Sequence, residues 1–200
     1  MGPPGDDSGR AGGYDAIVSR RLNRQTTSLI VIDVQEKLAS HIHEFAKIEQ
    51  NIVRMVRGCA ILGVETISTE QYPQGIGRTT PAVSEALKDG NRSSPIQKMS
   101  FSCQDCEEFR SAAGISGQIL ICGIETHVCV FQTAIDLLDA GADVQVVSDA
   151  TSSRDPWNRD VALRRLEMEG ARLTSTEMAL FEMTRTAGTD EFRAISRLVK

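Results

Sequence analysis

The chain has 200 residues, 40% of them hydrophobic, which suits one globular domain, since a chain of this length buries roughly 70% of its unfolded surface. A formal charge of −5, with Lys and Arg scattered rather than gathered, supplies no basic field for a phosphate backbone, so nucleic acid is not an expected partner. No stretch approaches the ~18 apolar residues of a membrane span, and no apolar run follows a basic start, so neither a membrane partner nor a signal peptide is expected.

Residues 1 to about 14 are rich in Gly, Pro and Asp and have almost nothing to bury, which predicts a disordered N-terminal tail. Residues 15–200 then form the single domain. Within it, Ser28–Ile32, Val64–Ser68, Pro95–Lys98, Gln118–Cys122, Asp143–Val147 and Ala171–Thr174 read as strands. Between the first two, Phe45, Ile48, Ile52, Met55, Cys59 and Leu62 recur at helical spacing and Gly63 supplies the stop. After the fourth strand, Val128, Phe131, Ile135 and Leu138 form a second stripe that Gly141 terminates. Further helices are read over Asn158–Glu169, Ser175–Arg185 and Asp190–Leu198. This alternation predicts a three-layer α/β/α fold around a mostly parallel, about six-stranded Rossmann-like sheet.

The five cysteines, Cys59, Cys103, Cys106, Cys122 and Cys129, are an odd set in a chain too large to need staples, so reduced thiols and a cytoplasmic setting are expected. Parallel α/β sheets bind ligands at the carboxyl ends of their strands, near the point where strand order reverses. That rule selects Asp33 after the first strand, Lys98 closing the third and Cys129 after the fourth. Cys129 falls in the opening turn of a helix, where free N–H donors and a partial positive charge favour a thiolate. An acid, a base and a thiol are thereby brought to one edge.

At these residues the sequence resembles the isochorismatase-like hydrolase superfamily over residues ~25 to 200. The resemblance rests on Leu29-Ile30-Val31-Ile32-Asp33-Val34-Gln35, on Lys98 with Phe101 nearby, and on Gly123-Ile124-Glu125-Thr126-His127-Val128-Cys129. Thr69-Glu70-Gln71-Tyr72-Pro73 and Asp149-Ala150-Thr151-Ser152-Ser153-Arg154 look most like the isochorismatase domain-containing proteins. The resemblance implies an Asp33-Lys98-Cys129 triad, an oxyanion hole made by the backbone N–H groups of Glu125 and Cys129, and a cis peptide joining Ile124 to Glu125. It also implies self-association into a dimer or a higher homo-oligomer.

Each residue type suits the implied chemistry. A thiol of pKa ~8.5 is mostly protonated at neutral pH, so attack on a carbonyl needs a proton acceptor, the part given to Asp33, while Lys98 holds positive charge beside both groups. The developing oxyanion needs donors worth roughly 2.7–4 kcal/mol each. The expected reaction is cleavage of a small carboxamide or related C–N bond through a Cys129 thioester. Nicotinamidases of this superfamily carry a metal-binding histidine segment after the second strand, whereas Thr69 to Gln74 has no histidine, so no metal is expected. Relatives that cleave a vinyl ether typically lack the cysteine, which argues against isochorismate. The rival readings are vinyl-ether hydrolysis with Asp33 as proton donor, a non-catalytic homo-oligomeric scaffold, and a peroxide-sensitive thiol.

Other residues are weighed singly. Gln35, Gln71, Tyr72, Phe101 and His127 are expected near the strand ends and are candidates for the substrate pocket. Gly75-Ile76-Gly77 begins like a dinucleotide fingerprint, but Thr80 occupies the third glycine position and the segment is not read at a strand-to-helix turn, so no cofactor is assigned. Cys103 and Cys106 read as helix-start cysteines, His41 and His43 as surface histidines, and Trp157 as packing a helix start with a possible interface role.

Overall fold

Six parallel strands lie in the order β3-β2-β1-β4-β5-β6 in the computed structural model, which describes residues 21–90, 94–113 and 117–200. The predicted tail, and the start of the domain at residue 15, lie outside the described residues. In chain order the elements are β1 (Thr27–Ile32), α1 (Glu36–Ala39), α2 (Phe45–Leu62), β2 (Glu65–Gln71), α3 (Pro73–Ile76), α4 (Pro81–Leu87) and β3 (Ile96–Lys98). A 3-10 turn (Cys103–Asp105) and α5 (Glu107–Ala113) lead into β4 (Gln118–Ile124). A π turn (Thr126–Val130), α6 (Phe131–Asp139), β5 (Asp143–Ser152), α7 (Pro156–Met168), β6 (Arg172–Thr174), α8 (Thr176–Thr184) and α9 (Asp190–Val199) complete the chain.

Side chains alternate across a strand, so a strand covered on both faces must be apolar at nearly every position. In β1, Leu29 and Val31 face a core shared with α2, α4, α8 and α9, while Ile30 and Ile32 face a second core shared with α5, α6 and α7. The three layers follow. Helix α2 buries Ile48, Ile52, Met55, Cys59 and Leu62 as its spacing requires. Gly63, at φ +70°, ends it, and its N–H and that of Val64 close onto the carbonyls of Ala60 and Cys59.

Several expectations need correction. Strand β2 continues past Ser68 through the buried Thr69, Glu70 and Gln71, and β5 continues past Val147 to Ser152, where Thr151 and Ser152 are buried and the half-buried Ser148 and Asp149 bond to the Thr174 carbonyl and the Thr176 N–H. Polar composition had disguised both extensions as loop. The π turn and α6 bury Val130, Thr133, Ala134 and Leu137, with Val128, Phe131, Ile135 and Leu138 partly buried beside that seam. Gly75 lies inside α3, directly after β2, so the segment does stand at a strand-to-helix turn. A Cβ there would come within 2.2 Å of the Tyr72 ring, so the glycine makes room for that ring.

Strand β1 is the switch point. The chain runs outward through β2 and β3 on one side, then returns to β4 and runs outward through β5 and β6 on the other. The crevice this creates lies between the carboxyl ends of β1 and β4.

Candidate active site

Asp33 follows β1 immediately and takes a left-handed conformation, φ 50°, that Asp tolerates better than most residues. Its N–H donates to the Thr69 carbonyl on β2 (3.2 Å) and its own carbonyl accepts from Gln35 N–H (2.8 Å), so the turn is held from both sides. The carboxylate is fully buried. Oδ2 accepts from Lys98 Nζ at 2.7 Å, and Oδ1 accepts from Thr69 Oγ1 at 2.7 Å.

Lys98 is the last residue of β3 and is equally enclosed. Its ammonium also donates to the carbonyls of Ser100 and Phe101, both at 3.1 Å, and to Gln71 Oε1 at 3.4 Å. Burial works against its charge, but the Asp33 carboxylate and the neighbouring Cys103 and Cys129 sulfurs outweigh burial and hold the pKa above the ordinary lysine value. The group is an ammonium throughout the neutral range.

Cys129 lies in the π turn after β4, where the Val130 N–H reaches back to the Glu125 carbonyl at 3.3 Å. Its thiol is buried and donates to Gln71 Oε1 at 3.0 Å. Burial, and after it the Asp33 carboxylate, push this thiol well above the ordinary range, with Lys98 pulling the other way. The pull towards the thiolate expected from a helix opening is opposed here. The partial charge of a helix opening is small against the cost of a buried thiolate beside a carboxylate.

The three groups therefore converge, Asp33 paired with the ammonium and both charges acting on the Cys129 sulfur. Ile124–Glu125 is a cis peptide. The Glu125 carboxylate accepts from the backbone N–H of Arg154 (2.9 Å) and from its Nε (3.1 Å), tying the start of the π turn to the end of β5. His127 Nδ1 lies 2.9 Å from Ser153 Oγ, on the same junction.

The candidate pocket residues divide. Gln35 is fully buried and committed to backbone groups: Nε2 donates to the carbonyls of Gln71 (2.9 Å) and Gly77 (2.6 Å), and Oε1 accepts from Gln71 N–H (2.8 Å). It braces the site without lining it. Gln71 reaches the buried cluster directly. Tyr72 and Phe101 are about half exposed on the loops after β2 and β3, with Met99 between them in sequence position and more exposed still.

Two contributors went unassigned in the sequence. Thr69 holds the second Asp33 oxygen and was hidden by the early end given to β2. Cys103 is fully buried in the 3-10 turn, its N–H donating to Thr133 Oγ1 (3.0 Å) and its thiol facing Thr69 Oγ1 (3.9 Å). Burial, partly offset by Lys98, pushes that thiol up to about 11. In the sequence it reads only as a helix-start cysteine. Among the described residues, no three His, Cys, Asp or Glu side chains are grouped to hold a metal ion, and His41 and His43 are exposed.

A parallel 3-2-1-4-5-6 sheet with a buried carboxylate, ammonium and thiol at its strand ends defines an α/β/α protein whose site is built around cysteine. The chain belongs to the isochorismatase-like hydrolase superfamily, the Isochorismatase domain matching residues 27–178. It is 40% identical over 183 residues to the secreted isochorismatase effector Isc1 of Phytophthora sojae, covering 90% of this chain and 87% of that protein. It is 36% identical to isochorismatase domain-containing protein 2 of Danio rerio, covering 90% and 89% of the two chains. Among solved structures, the MAR1 ribonuclease of Caenorhabditis elegans superposes with a TM-score of 0.84 at 36% identity, covering 90% and 92%.

Proposed function

We propose that the protein hydrolyses a small carboxamide or related C–N bond, with Cys129 as nucleophile, Asp33 as proton carrier and Lys98 as the fixed cation. The observation that carries this reading is the buried cluster itself, a 2.7 Å ion pair beside a thiol. The Cys129 proton passes to Asp33 as sulfur attacks the carbonyl carbon. The oxyanion is received by the backbone N–H groups of Glu125 and Cys129. Collapse of the tetrahedral adduct breaks the C–N bond, and the amine leaves with the proton from Asp33. Water then adds to the thioester, giving its proton to Asp33, and the carboxylic acid departs as Cys129 regains a proton. Lys98 keeps its charge throughout and steadies Asp33 whenever it is a carboxylate.

Intact-mass screening against a panel of small amides tests this. Wild type is expected to gain the mass of an acyl group at Cys129, and Cys129→Ala to lose the adduct and at least ~10³-fold of turnover. No adduct and no turnover across the panel would sink the reading. An RNA substrate belongs in the panel because the nematode neighbour is named a ribonuclease.

A second reading, vinyl-ether hydrolysis of isochorismate with Asp33 as proton donor, is favoured by the name of the Phytophthora relative. Against it, both Asp33 oxygens already accept hydrogen bonds, from Lys98 and Thr69, as those of a carboxylate do. Cys129→Ala separates the two, since it spares the vinyl-ether reaction.

We place the protein in the cytoplasm as a homo-oligomer. Five free cysteines suit a reducing compartment, and no helix among the described residues is long and apolar enough to cross a membrane. Trp157 and Met168 stand exposed on α7, the Arg164 guanidinium 5.7 Å from the indole ring, a surface suited to a second copy. Light scattering coupled to size exclusion is expected to give a multiple of the chain mass, and Trp157→Ala to reduce it; a monomeric wild type would remove the interface.

A further inference from the structure

The side chain of Gln71 makes contacts that neither the ion pair nor the fold requires. Its Nε2 donates to the Met99 carbonyl at 3.2 Å, which fixes the amide's orientation and turns Oε1 into the cluster. There Oε1 accepts from Cys129 Sγ at 3.0 Å and from Lys98 Nζ at 3.4 Å. The main chain beneath it cannot give way, because Gln35 clamps both its N–H and its carbonyl and the β2–β3 ladder pairs Gln71 with Lys98. We propose that Gln71 is a positioning residue that latches the nucleophile: its amide oxygen holds Cys129 as the neutral thiol at rest and must leave the sulfur before Asp33 takes the proton.

The chemistry of the group gives the direction. An amide oxygen accepts and never donates, so it stabilises S–H alone, and a thiolate in the same place would face a lone pair. The charged and titratable groups around the sulfur come from three other elements. Burial opposes a thiolate most, followed by Asp33 after β1, through its charge and a hydrogen bond, and by Cys103 in the 3-10 turn, while Lys98 at the end of β3 favours one. Gln71 takes one hydrogen bond from the cation and one from the thiol, so it stands between the charge that would activate the sulfur and the sulfur itself. A substrate carbonyl that displaces this amide therefore arms the nucleophile as it binds, and the thiol stays inert towards other electrophiles until then.

The test is the pH dependence of iodoacetamide labelling at Cys129 in the full chain, read by peptide mass mapping because half-exposed Cys106 also reacts. Alkylation joins the thiolate sulfur to the acetamide carbon and expels iodide, so its rate follows the thiolate fraction. Removing the acceptor in Gln71→Met is expected to speed labelling about tenfold at pH 7.5 and lower the midpoint by about one pH unit. Gln71→Glu, which keeps the size and the acceptor, is expected to leave the midpoint at or above that of wild type. An unchanged or raised midpoint in Gln71→Met overturns the latch, as does a lowered one in Gln71→Glu; should the Met variant fail to fold, the Glu variant decides. The inference rests on Cys129 as nucleophile, but labelling needs no turnover. Inactivity towards every amide would therefore remove the proposed reaction and leave the latch standing.

Discussion

Lys98 and Asp33 meet at 2.7 Å with both side chains shut off from water, so removing one strands the other as a bare buried charge. Lys98→Met is accordingly expected to destabilise the fold by about 3–5 kcal/mol, read as a fall in Tm, with Asp33→Asn in the same chain restoring part of it. Asp33→Asn alone takes away the charge that most opposes the thiolate, so the midpoint of Cys129 labelling should move to lower pH; a rise would show that Asp33 does not face the sulfur. Asp33 and Lys98 were legible because each sits at the end of a strand, and Cys129 because it follows the turn after β4; ligand sites of parallel sheets gather there. Thr69 and Gln71 were not assigned these contacts, since a buried threonine or glutamine has the same local sequence look as an exposed one. Only contacts across strands give these two their roles, and such contacts leave no periodic trace.

At the scale of elements, β1 and β4 run so close at their carboxyl ends that one residue of β4 has no room for a side chain. Gly123 sits at φ +119°, and a Cβ there would fall 2.1 Å from the Ile32 carbonyl oxygen and 2.6 Å from its nitrogen, backbone atoms that cannot swing aside. Gly123→Ala is therefore expected to disrupt the β1–β4 seam beneath Asp33 and yield insoluble or unfolded protein. Gly63→Ala, at φ +70° in open space, should cost only about 1 kcal/mol; comparable melting curves for the two would refute the steric argument. Strand identities and helix α2 were readable from period and punctuation. The lengths of β2 and β5 were not, because Thr69-Glu70-Gln71 and Thr151-Ser152 bury polar groups that composition assigns to loops. Glu70 illustrates the cause: its Oε1 accepts from Thr79 N–H at 2.7 Å and from Thr79 Oγ1 at 2.9 Å, partners nine residues away.

For the whole molecule, the buried thiols set the response to alkali. Burial pushes Cys59 up to about 12 and Cys103 up to about 11, and raises Cys122 and Cys129 further. A thiol raised on folding adds stability that is complete below its unfolded pKa, near 9, and is lost as pH climbs through the folded value. Lys98 acts in the same direction at higher pH, its charge being stabilised in the fold. Stability should thus fall steeply above about pH 9, by roughly 1 kcal/mol per pH unit for each thiol, and Cys59→Ala should flatten the Tm-against-pH curve. A flat wild-type curve from pH 8 to 11 would contradict this. The strand order has a separate consequence for how such a protein diversifies. Asp33, Lys98 and Cys129 are sealed within the sheet's edge, while Tyr72, Met99 and Phe101 ride on outer loops that leave the sheet just beside them. Substitutions at that rim, one exposed side chain at a time, leave the buried pairings below untouched, so the surface over the cluster can vary while its interior stays the same.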